Sequence, residues 1–239
     1  ALNNVLYNEY ILFPIADFYL KKERWNEAIE VYEEMETIGA LKGRGAEYYQ
    51  KLGYALQKNK KYAEAIDAYL KADTLKPDNI WNNRHLAICY RLNRNYQAAL
   101  SYYKKVEEAT PEDTNVIFHI GSCLAELGQY EEAANYFFKL DFIESNCIKA
   151  WRGIGWCSFI SRKYEQAMKY YEKIIEQKPL AIDYMNAGHV AWTMGDIQKA
   201  AALYGKSITA NGNRERFLEM FRKDKEALLK QGIQEEDIP

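Results

Sequence analysis

Alanines and aromatic rings recur along this chain at a nearly constant interval. Six alanines share one pattern, an aromatic or aliphatic residue three positions before and a ring four positions after: Ala28, Ala65, Ala99, Ala133, Ala167 and Ala200. The rings are Tyr32, Tyr69, Tyr103, Phe137, Tyr171 and Tyr204. The four central copies are spaced by 34 residues. A separation of four positions places alanine and ring on one face of an α-helix, so the pattern predicts repeated amphipathic helices.

A small residue stands twelve positions before each of these alanines: Ala16, Gly53, Ala87, Gly121, Gly155 and Gly188. Apolar spacing around it is again helical, as at Leu52 and Leu56, which predicts a first helix before each second helix. A neighbouring helix can approach closely only where the side chain is small, so we expect the two helices to touch there. Pro77, Pro111 and Pro179 follow three of the pairs, and proline cannot continue the preceding helix.

This pattern fixes the expected bounds of the helix pairs. They are 9–22 with 25–37, 46–59 with 62–75, 80–93 with 96–109, 114–127 with 130–143, 148–161 with 164–177, and 181–194 with 197–209. Asn213 is a typical N-cap residue for a last helix that ends before Gly232. That segment has one apolar stripe and a polar back, as the last unit of a stack needs in water. We therefore predict a capping helix over residues 214–231.

The pattern of small residue, alanine and ring resembles the tetratricopeptide repeat family over residues 9 to about 209. The resemblance implies an all-α fold, a right-handed α-α superhelix (solenoid) of about six helix pairs plus the C-terminal capping helix. It implies a single solenoid over 1–239, with repeats at about 9–37, 46–77, 80–111, 114–145, 148–179 and 181–209.

Some residues depart from the family pattern. The first two units are separated by 37 residues, with Gly39, Gly43 and Gly45 in the insertion. Pro14 falls inside the first helix, which is therefore expected to kink or to start there. Asn83 replaces a large ring in the third unit, and Ser158 replaces a tyrosine in the fifth. We expect these substitutions to weaken packing locally without breaking the register.

In this family, the first helix of each pair lines the inner surface. The resemblance therefore implies a peptide-binding groove formed by first-helix residues that helix-pair packing does not consume. These are Tyr54, Trp81, Arg84, Ile88, Arg91, Phe118, Lys149, Arg152, Trp156, Phe159, Met185, His189 and Trp192.

The large rings in this set carry the functional hypothesis. Trp and Arg are the residues most enriched at binding hot spots, and contiguous exposed rings mark interaction surfaces. Arg84, Arg91, Lys149 and Arg152 add a basic stretch, and a guanidinium suits a carboxylate. The hypothesis is a protein or peptide partner with aromatic or aliphatic anchors and an acidic group. The alternatives are that the rings pack within the molecule and that the charges are only solvated.

One ligand class of the family is disfavoured. Repeats that clamp the acidic C-terminus of heat-shock chaperones resemble one another in a Lys/Asn, Asn, Lys/Arg set across three units. Ile88 and Trp156 stand where that set needs asparagine. The clamp is therefore incomplete, and we do not expect this ligand.

Other function classes find little support in the sequence. His85 and His119 are 34 residues apart, on equivalent sites of neighbouring units, and no phosphate loop or nucleophile motif occurs. We therefore expect no enzyme activity, no catalytic residues, no metal and no cofactor. A formal net charge of -2 and a pI near 6.1 argue against a nucleic-acid partner. The sequence predicts a protein–protein interaction scaffold, with a structural or self-associating spacer module of a larger protein as the alternative.

The remaining features concern the compartment. Cys89, Cys123 and Cys157 recur in register and are expected to be buried thiols, with no metal-ligand spacing. No apolar stretch approaches the length of a membrane span. The start at Ala1 lacks an initiating Met, so we expect a fragment or processed product. Reduced thiols favour a cytoplasmic location.

Overall fold

The computed structural model describes residues 9–39 and 44–238; Ala1 and Gly43 lie outside these ranges. Within them the regular structure is α-helical, apart from a short 3-10 turn at Glu235–Asp237, and contains no strand. The helices of the hairpins are α1 (Glu9–Lys21), α2 (Trp25–Thr37), α3 (Gly45–Lys58), α4 (Tyr62–Leu75), α5 (Ile80–Leu92), α6 (Tyr96–Ala109), α7 (Thr114–Glu126), α8 (Tyr130–Ile143), α9 (Ile148–Ile160), α10 (Tyr164–Ile175), α11 (Ala181–Thr193) and α12 (Ile197–Asn211). The bounds fall within two residues of those expected from the repeat, and the all-α helical-repeat fold class is confirmed.

The chain divides into two compact units, Ala1–Pro111 with α1 to α6 and Glu112–Pro239 with the remaining helices. In the first unit the core is built from fully buried tyrosines, including Tyr32, Tyr48 and Tyr69. The Tyr48 hydroxyl donates to the backbone oxygen of Tyr32 at 2.7 Å, which ties α3 to α2. In the second unit the buried set includes Leu140 and Tyr171.

In α3, α7, α9 and α11 the glycine at the small-residue position packs on the ring of the second helix. A Cβ atom added at Gly53 would lie 2.8 Å from the Tyr69 ring, and one added at Gly188 would lie 2.4 Å from the Tyr204 ring. Such distances are too short for a carbon atom, so only a residue without a side chain lets these helices meet. The predicted close approach within each pair is therefore confirmed at these positions.

The turn inside each hairpin uses one residue in the left-handed backbone conformation. These residues are Glu23, Lys60, Arg94, Gly128, Arg162 and Gly195. Only glycine adopts this conformation without steric cost, so four of the six turns hold a strained side-chain-bearing residue. At the first hairpin, α1 begins five residues before Pro14 and continues through it, so the helix does not start at the proline.

The C-terminal segment differs from the expected single capping helix. Asn213 caps it as predicted, accepting a hydrogen bond from the Arg216 N–H at 2.8 Å. The helix is nevertheless interrupted at Asp224, giving α13 (Arg214–Lys223) and α14 (Lys225–Lys230). The Asp224 carboxylate lies 3.4 Å from Nε2 of buried His189 in α11.

After α14 the chain contacts the turn between α9 and α10. The Gln231 side chain accepts a hydrogen bond from the Tyr164 hydroxyl at 2.8 Å and donates to the Ile160 carbonyl at 3.3 Å. Arg162 donates to the carbonyl of Lys230 at 2.9 Å. The segment therefore crosses from the last hairpin to the preceding one. It also packs against α11 through Phe221.

Candidate peptide-binding cleft

The second unit contains a cleft between the first helices α7 and α9, with α8 at its base and α11 at its side. Its volume is about 400 Å³, inside the range of roughly 300–1,000 Å³ typical of ligand sites. The residues that line it are Phe118, Ser122, Ala125, Glu126, Phe137, Lys149, Arg152, Gly153, Trp156, Cys157 and Asn186. We call this the α7–α9 cleft. Four residues of the predicted groove, Phe118, Lys149, Arg152 and Trp156, meet in it.

A close contact between α8 and α9 supports the rings of the cleft. Phe118 lies 6.0 Å from Phe137, centroid to centroid, and a Cβ atom at Gly153 would fall 2.5 Å from the Phe137 ring. Gly153 therefore lets the buried Phe137 ring reach the base of the cleft. Trp156 is half-buried one turn further along α9. The result is an apolar floor with aromatic walls.

The cations of the cleft are already paired. Arg152 donates two hydrogen bonds of 2.7 Å, from Nε and Nη2, to the two oxygens of the buried Asp183 carboxylate. This hydrogen-bonded pair raises the pKa of Arg152 above its ordinary value. Lys149 lies 3.4 Å from the Glu144 carboxylate and 5.8 Å from the centre of the Phe118 ring. The Arg152 guanidinium is therefore already paired within the chain, through Asp183.

In the first unit, two predicted residues join a separate ring cluster. Trp81 packs on His85, at 4.0 Å between centroids, and on Tyr54 at 6.2 Å, with 43% of Trp81 exposed. Nδ1 of His85 donates to the side-chain oxygen of Gln57 at 2.7 Å, because an amide oxygen can only accept. Burial lowers the pKa of His85 to about 4, with smaller contributions from Lys58 and Arg84.

The other predicted residues of the first unit lie beside this cluster. Ile88, Arg84 and Arg91 are all half-buried. Arg91 donates from Nε to the Tyr103 hydroxyl at 3.4 Å. This guanidinium is therefore partly engaged within its own hairpin.

Three residues predicted for the groove are in the interior. Phe159, Met185 and His189 are each at most 1% exposed. The His189 ring contacts Phe221 of α13 at 4.8 Å between centroids and stacks on Phe159 at 6.5 Å. The C-terminal segment covers His189 through Phe221, whereas the Phe159 ring lies against Trp156, Tyr164 and His189. These three predictions are therefore corrected to core residues.

Comparison with known proteins agrees with this architecture. Family models described as tetratricopeptide repeat match residues 12–39, 46–79, 91–157, 148–179 and 184–214. The chain belongs to the tetratricopeptide repeat family.

Solved structures show the same fold. A tetratricopeptide repeat protein from Parabacteroides merdae ATCC 43184 has a TM-score of 0.68 and 20% identity, over 95% of this chain and 94% of that one. YrrB, described as a TPR protein with an unusual peptide-binding site, has a TM-score of 0.63 and 20% identity, over 79% of this chain and 95% of its own. MamA from Desulfovibrio magneticus RS-1 has a TM-score of 0.63 and 18% identity, over 71% and 97%. The search of curated proteins gives no match.

The last predicted groove residue of this tetratricopeptide repeat chain lines a different cavity. Trp192 is half-buried, 6.3 Å from Tyr204 and 6.2 Å from Phe221 between ring centroids. With Ile197 and neighbouring residues it borders a small apolar cavity of about 280 Å³. The C-terminal segment forms part of that cavity through Phe221 and Asp237. Trp192 therefore lines a cavity other than the α7–α9 cleft.

Seven of the eleven lining residues are absent from the predicted groove set: Ser122, Ala125, Glu126, Phe137, Gly153, Cys157 and Asn186. Gly153 did carry a signal, because a second glycine two positions before Gly155 inside a helix indicates close backbone approach. Asn186 lies off the periodic positions used for the prediction, so the repeat gave no signal for it.

The described residues lack the features of a metal site and of a membrane span. Across residues 9–39 and 44–238, no group of three or more His, Cys, Asp or Glu side chains is placed to hold a metal ion. In the same ranges, no helix combines the length and the apolar character that crossing a bilayer needs. The four cysteines are all buried, and none forms a disulfide.

Proposed function

We propose that this chain is a protein-interaction scaffold whose α7–α9 cleft holds an apolar side chain of a partner peptide. The observation that carries the proposal is the apolar floor formed by Phe118, Phe137 and Gly153, beside the half-buried Trp156. Complete burial of one large apolar side chain stabilises a complex by roughly 1.5–3 kcal/mol. The aromatic wall adds ring contacts to this gain.

The C-terminal segment of the chain supports the choice of ligand. Phe221 of α13 contacts His189 and Trp192 of α11 between centroids at 4.8 and 6.2 Å. An amphipathic helix with an aromatic anchor therefore already lies against one first helix of this unit. The α7–α9 cleft presents rings from two other first helices, and no part of α13 or α14 lines it.

The charges refine the partner chemistry. Arg152 is satisfied by Asp183, so Lys149 is the cation best placed to meet a ligand carboxylate. Its contact with Glu144 is long and about a third exposed, and such pairs contribute little. The proposed partner is thus a peptide with an aromatic or aliphatic anchor, with an acidic group as a secondary feature. The peptide-binding site in the description of YrrB supports the same class of ligand.

A displayed library of peptides, selected on the full chain, tests the proposal. The affinities of the selected peptides are then compared on wild type, Trp156→Ala and Phe142→Ala by fluorescence anisotropy. Phe142 is 90% exposed on α8 and serves as the matched control. We expect Trp156→Ala to weaken binding about tenfold or more, equal to about 1.4 kcal/mol or more, and Phe142→Ala to leave it unchanged.

Two results would contradict the proposal. One is a set of selected peptides that bind wild type and Trp156→Ala equally. The other is sedimentation of the wild-type chain as a dimer that separates in Trp156→Ala. The second result would favour the structural, self-associating spacer, because the ring would then be covered by another copy of the chain.

A further inference from the structure

Another cavity of the second unit lies between α8, the end of α9 and the start of α10. Its volume is about 230 Å³, below the range of roughly 300–1,000 Å³ typical of sites for whole small molecules. Ser158 lines it and is 2% exposed, whereas Asn135 and Lys163 are exposed residues of its lining. We call this the Ser158 cavity. It shares Cys157 alone with the α7–α9 cleft, so the two are separate sites.

The Ser158 cavity is open because two adjoining positions both hold small residues. Ser158 stands three positions after the small residue of α9, and Ala134 stands one position after the repeat alanine of α8. Both line the cavity. At the other junctions between successive repeats, the same two positions hold Ile29 and Leu56, Ile66 and Tyr90, Leu100 and Leu124, and Met168 and Ala191. Each of those pairs contains at least one large apolar side chain, which the junction at Ala134 and Ser158 lacks.

The first unit shows which side chain occupies the position of Ser158 in another repeat. This is Tyr90 of α5, whose ring is partly buried against the core and stacks on Tyr102 of α6 at 5.6 Å between centroids. Burial raises the pKa of Tyr90, and the carboxylate of Asp67 adds to this increase, so the phenol oxygen lies on the side of Asp67. Asn135 is the repeat equivalent of Asp67, two repeats later, and lines the Ser158 cavity.

The lining of the Ser158 cavity provides contacts for a ring and for a hydroxyl group. Phe138 forms one wall, and its ring contacts Tyr170 of α10 at 5.9 Å between centroids. The Ser158 hydroxyl donates to the side-chain oxygen of Gln166 at 2.9 Å, so this oxygen is engaged within the chain. The amide nitrogens of Gln166 and Asn135 can donate to a phenol oxygen, and the amide oxygen of Asn135 can accept from it. An aliphatic side chain would cover these polar groups without pairing them, which is unfavourable.

We infer that the Ser158 cavity binds a tyrosine side chain of another polypeptide, which supplies the ring that this repeat lacks. The ring packs on Phe138, and the hydroxyl lies beside Asn135, as the Tyr90 hydroxyl lies towards Asp67. A cavity of this size takes one side chain, and its exposed lining residues leave room for the polypeptide on either side of that tyrosine. The site does not depend on occupation of the α7–α9 cleft.

The test measures the binding of small tyrosine derivatives to the isotope-labelled full chain by NMR. The probes are N-acetyl-tyrosinamide, which has the neutral backbone of a tyrosine within a polypeptide, N-acetyl-phenylalaninamide, which lacks the hydroxyl, and free L-tyrosine. Two variants fill the cavity from within the chain: Ser158→Tyr, which copies Tyr90, and Ala134→Ile, which copies Ile66. The matched control is Ser101→Tyr, which adds a ring at an exposed position of α6 in the first unit.

We expect N-acetyl-tyrosinamide to shift the resonances of Asn135, Ser158 and Gln166 in wild type, and the shifts to persist in Ser101→Tyr. They should be lost in Ser158→Tyr and in Ala134→Ile, because either added side chain takes the space of the ring. N-acetyl-phenylalaninamide should bind at least about threefold more weakly, since it forms no hydrogen bond to the two amides. Free L-tyrosine should bind no more tightly than N-acetyl-tyrosinamide.

Several results would overturn the inference. Absence of shifts at the cavity residues would do so, as would shifts that persist in both filled variants, because the probe would then bind elsewhere. Equal binding of N-acetyl-phenylalaninamide would remove the role of the hydroxyl, and tighter binding of free L-tyrosine would make the cavity a site for a free amino acid. Sedimentation of the wild-type chain as a dimer that both Ser158→Tyr and Ala134→Ile dissociate would mean that a second copy supplies the tyrosine.

Discussion

Arg152 and Asp183 form a two-pronged ion pair that joins α9 to the first turn of α11. Both N–O distances are 2.7 Å, and the Asp183 carboxylate also accepts the Leu180 N–H at 2.7 Å. Removing the guanidinium leaves a buried carboxylate with one backbone donor. Arg152 is thus a structural residue at the edge of a ligand cleft, and its substitution should act first on stability.

Substitution of Arg152 separates stability from binding. Arg152→Ala should lower the free energy of unfolding by about 2 kcal/mol, since hydrogen bonds to charged groups contribute roughly 1.5–3 kcal/mol and Arg152 is a third exposed. Arg152→Lys keeps the positive charge but cannot donate the same pair of hydrogen bonds, so its loss of unfolding free energy should be smaller than that of Arg152→Ala. Lys149→Ala should stay within about 0.5 kcal/mol. Urea unfolding measures all three, and an unchanged midpoint for Arg152→Ala would show that the pair contributes nothing.

Two glycines should respond to alanine in opposite directions. Gly188→Ala places a Cβ atom 2.4 Å from the Tyr204 ring, so overpacking should cost about 1–3 kcal/mol. Gly205 is an exposed residue of α12, and a Cβ atom added there would have no other atom within 4 Å. Gly205→Ala should therefore stabilise the helix by about 0.5–1 kcal/mol. Thermal unfolding of the two variants checks the signs. Equal shifts of the unfolding temperature in the two variants would mean that the Tyr204 ring accommodates a side chain at position 188 without cost.

The anchor of the C-terminal segment can be tested against an exposed ring. Phe221 is 1% exposed, so Phe221→Ala should cost about 3–5 kcal/mol. Phe142 is 90% exposed, so Phe142→Ala should change stability by less than about 0.5 kcal/mol. Chemical denaturation of the full chain gives both values. A small loss for Phe221→Ala would contradict the docking of α13 on α11.

The pH dependence of stability should carry a contribution from His85. Its pKa falls from the ordinary 6.5 to about 4 in the folded state, chiefly through burial. The unfolded chain therefore binds the proton more readily, and stability decreases as the pH is lowered from about 6.5 towards 4. The upper part of this range, above about 4.5, reports histidine rather than Glu47, whose pKa is lowered from 4.5.

The comparison for this prediction is His85→Gln, which can still hydrogen-bond to Gln57. Its unfolding midpoint should vary less between pH 6.5 and 4.5 than that of wild type. Burial also lowers the pKa of His189, so part of the slope should remain. An identical slope in both proteins would show that His85 does not titrate differently on folding.

Helices and their contacts were predictable because the repeat encodes them locally. The pairing of Gly53 with Tyr69 depends on residue size and helical spacing alone, and both are readable in the sequence. The left-handed turn residues follow the same register. Interactions confined to one repeat, or shared by every repeat, leave a periodic signal.

The candidate site was only partly predictable because its decisive contacts are not periodic. Asp224 meets His189, and Gln231 meets Tyr164, across separations of 35 and 67 residues. The repeat spacing does not predict these pairs, and His189, which was expected in the groove, is buried beside Asp224. Asp183 is an acid in the first turn of α11, a position that the sequence alone indicates as favourable for a carboxylate. The sequence gives no sign that Arg152, 31 residues earlier, is its partner.

Each unit contains a buried cysteine whose reactivity reports when that unit opens. Burial raises the pKa of Cys89 in the first unit and of Cys157 in the second to about 12. The reactive thiolate is therefore almost absent at neutral pH, and an alkylating reagent can modify either sulfur only after the surrounding helices separate. Mass-tagging rates at these two residues would time the opening of one unit against the other, with no engineered label.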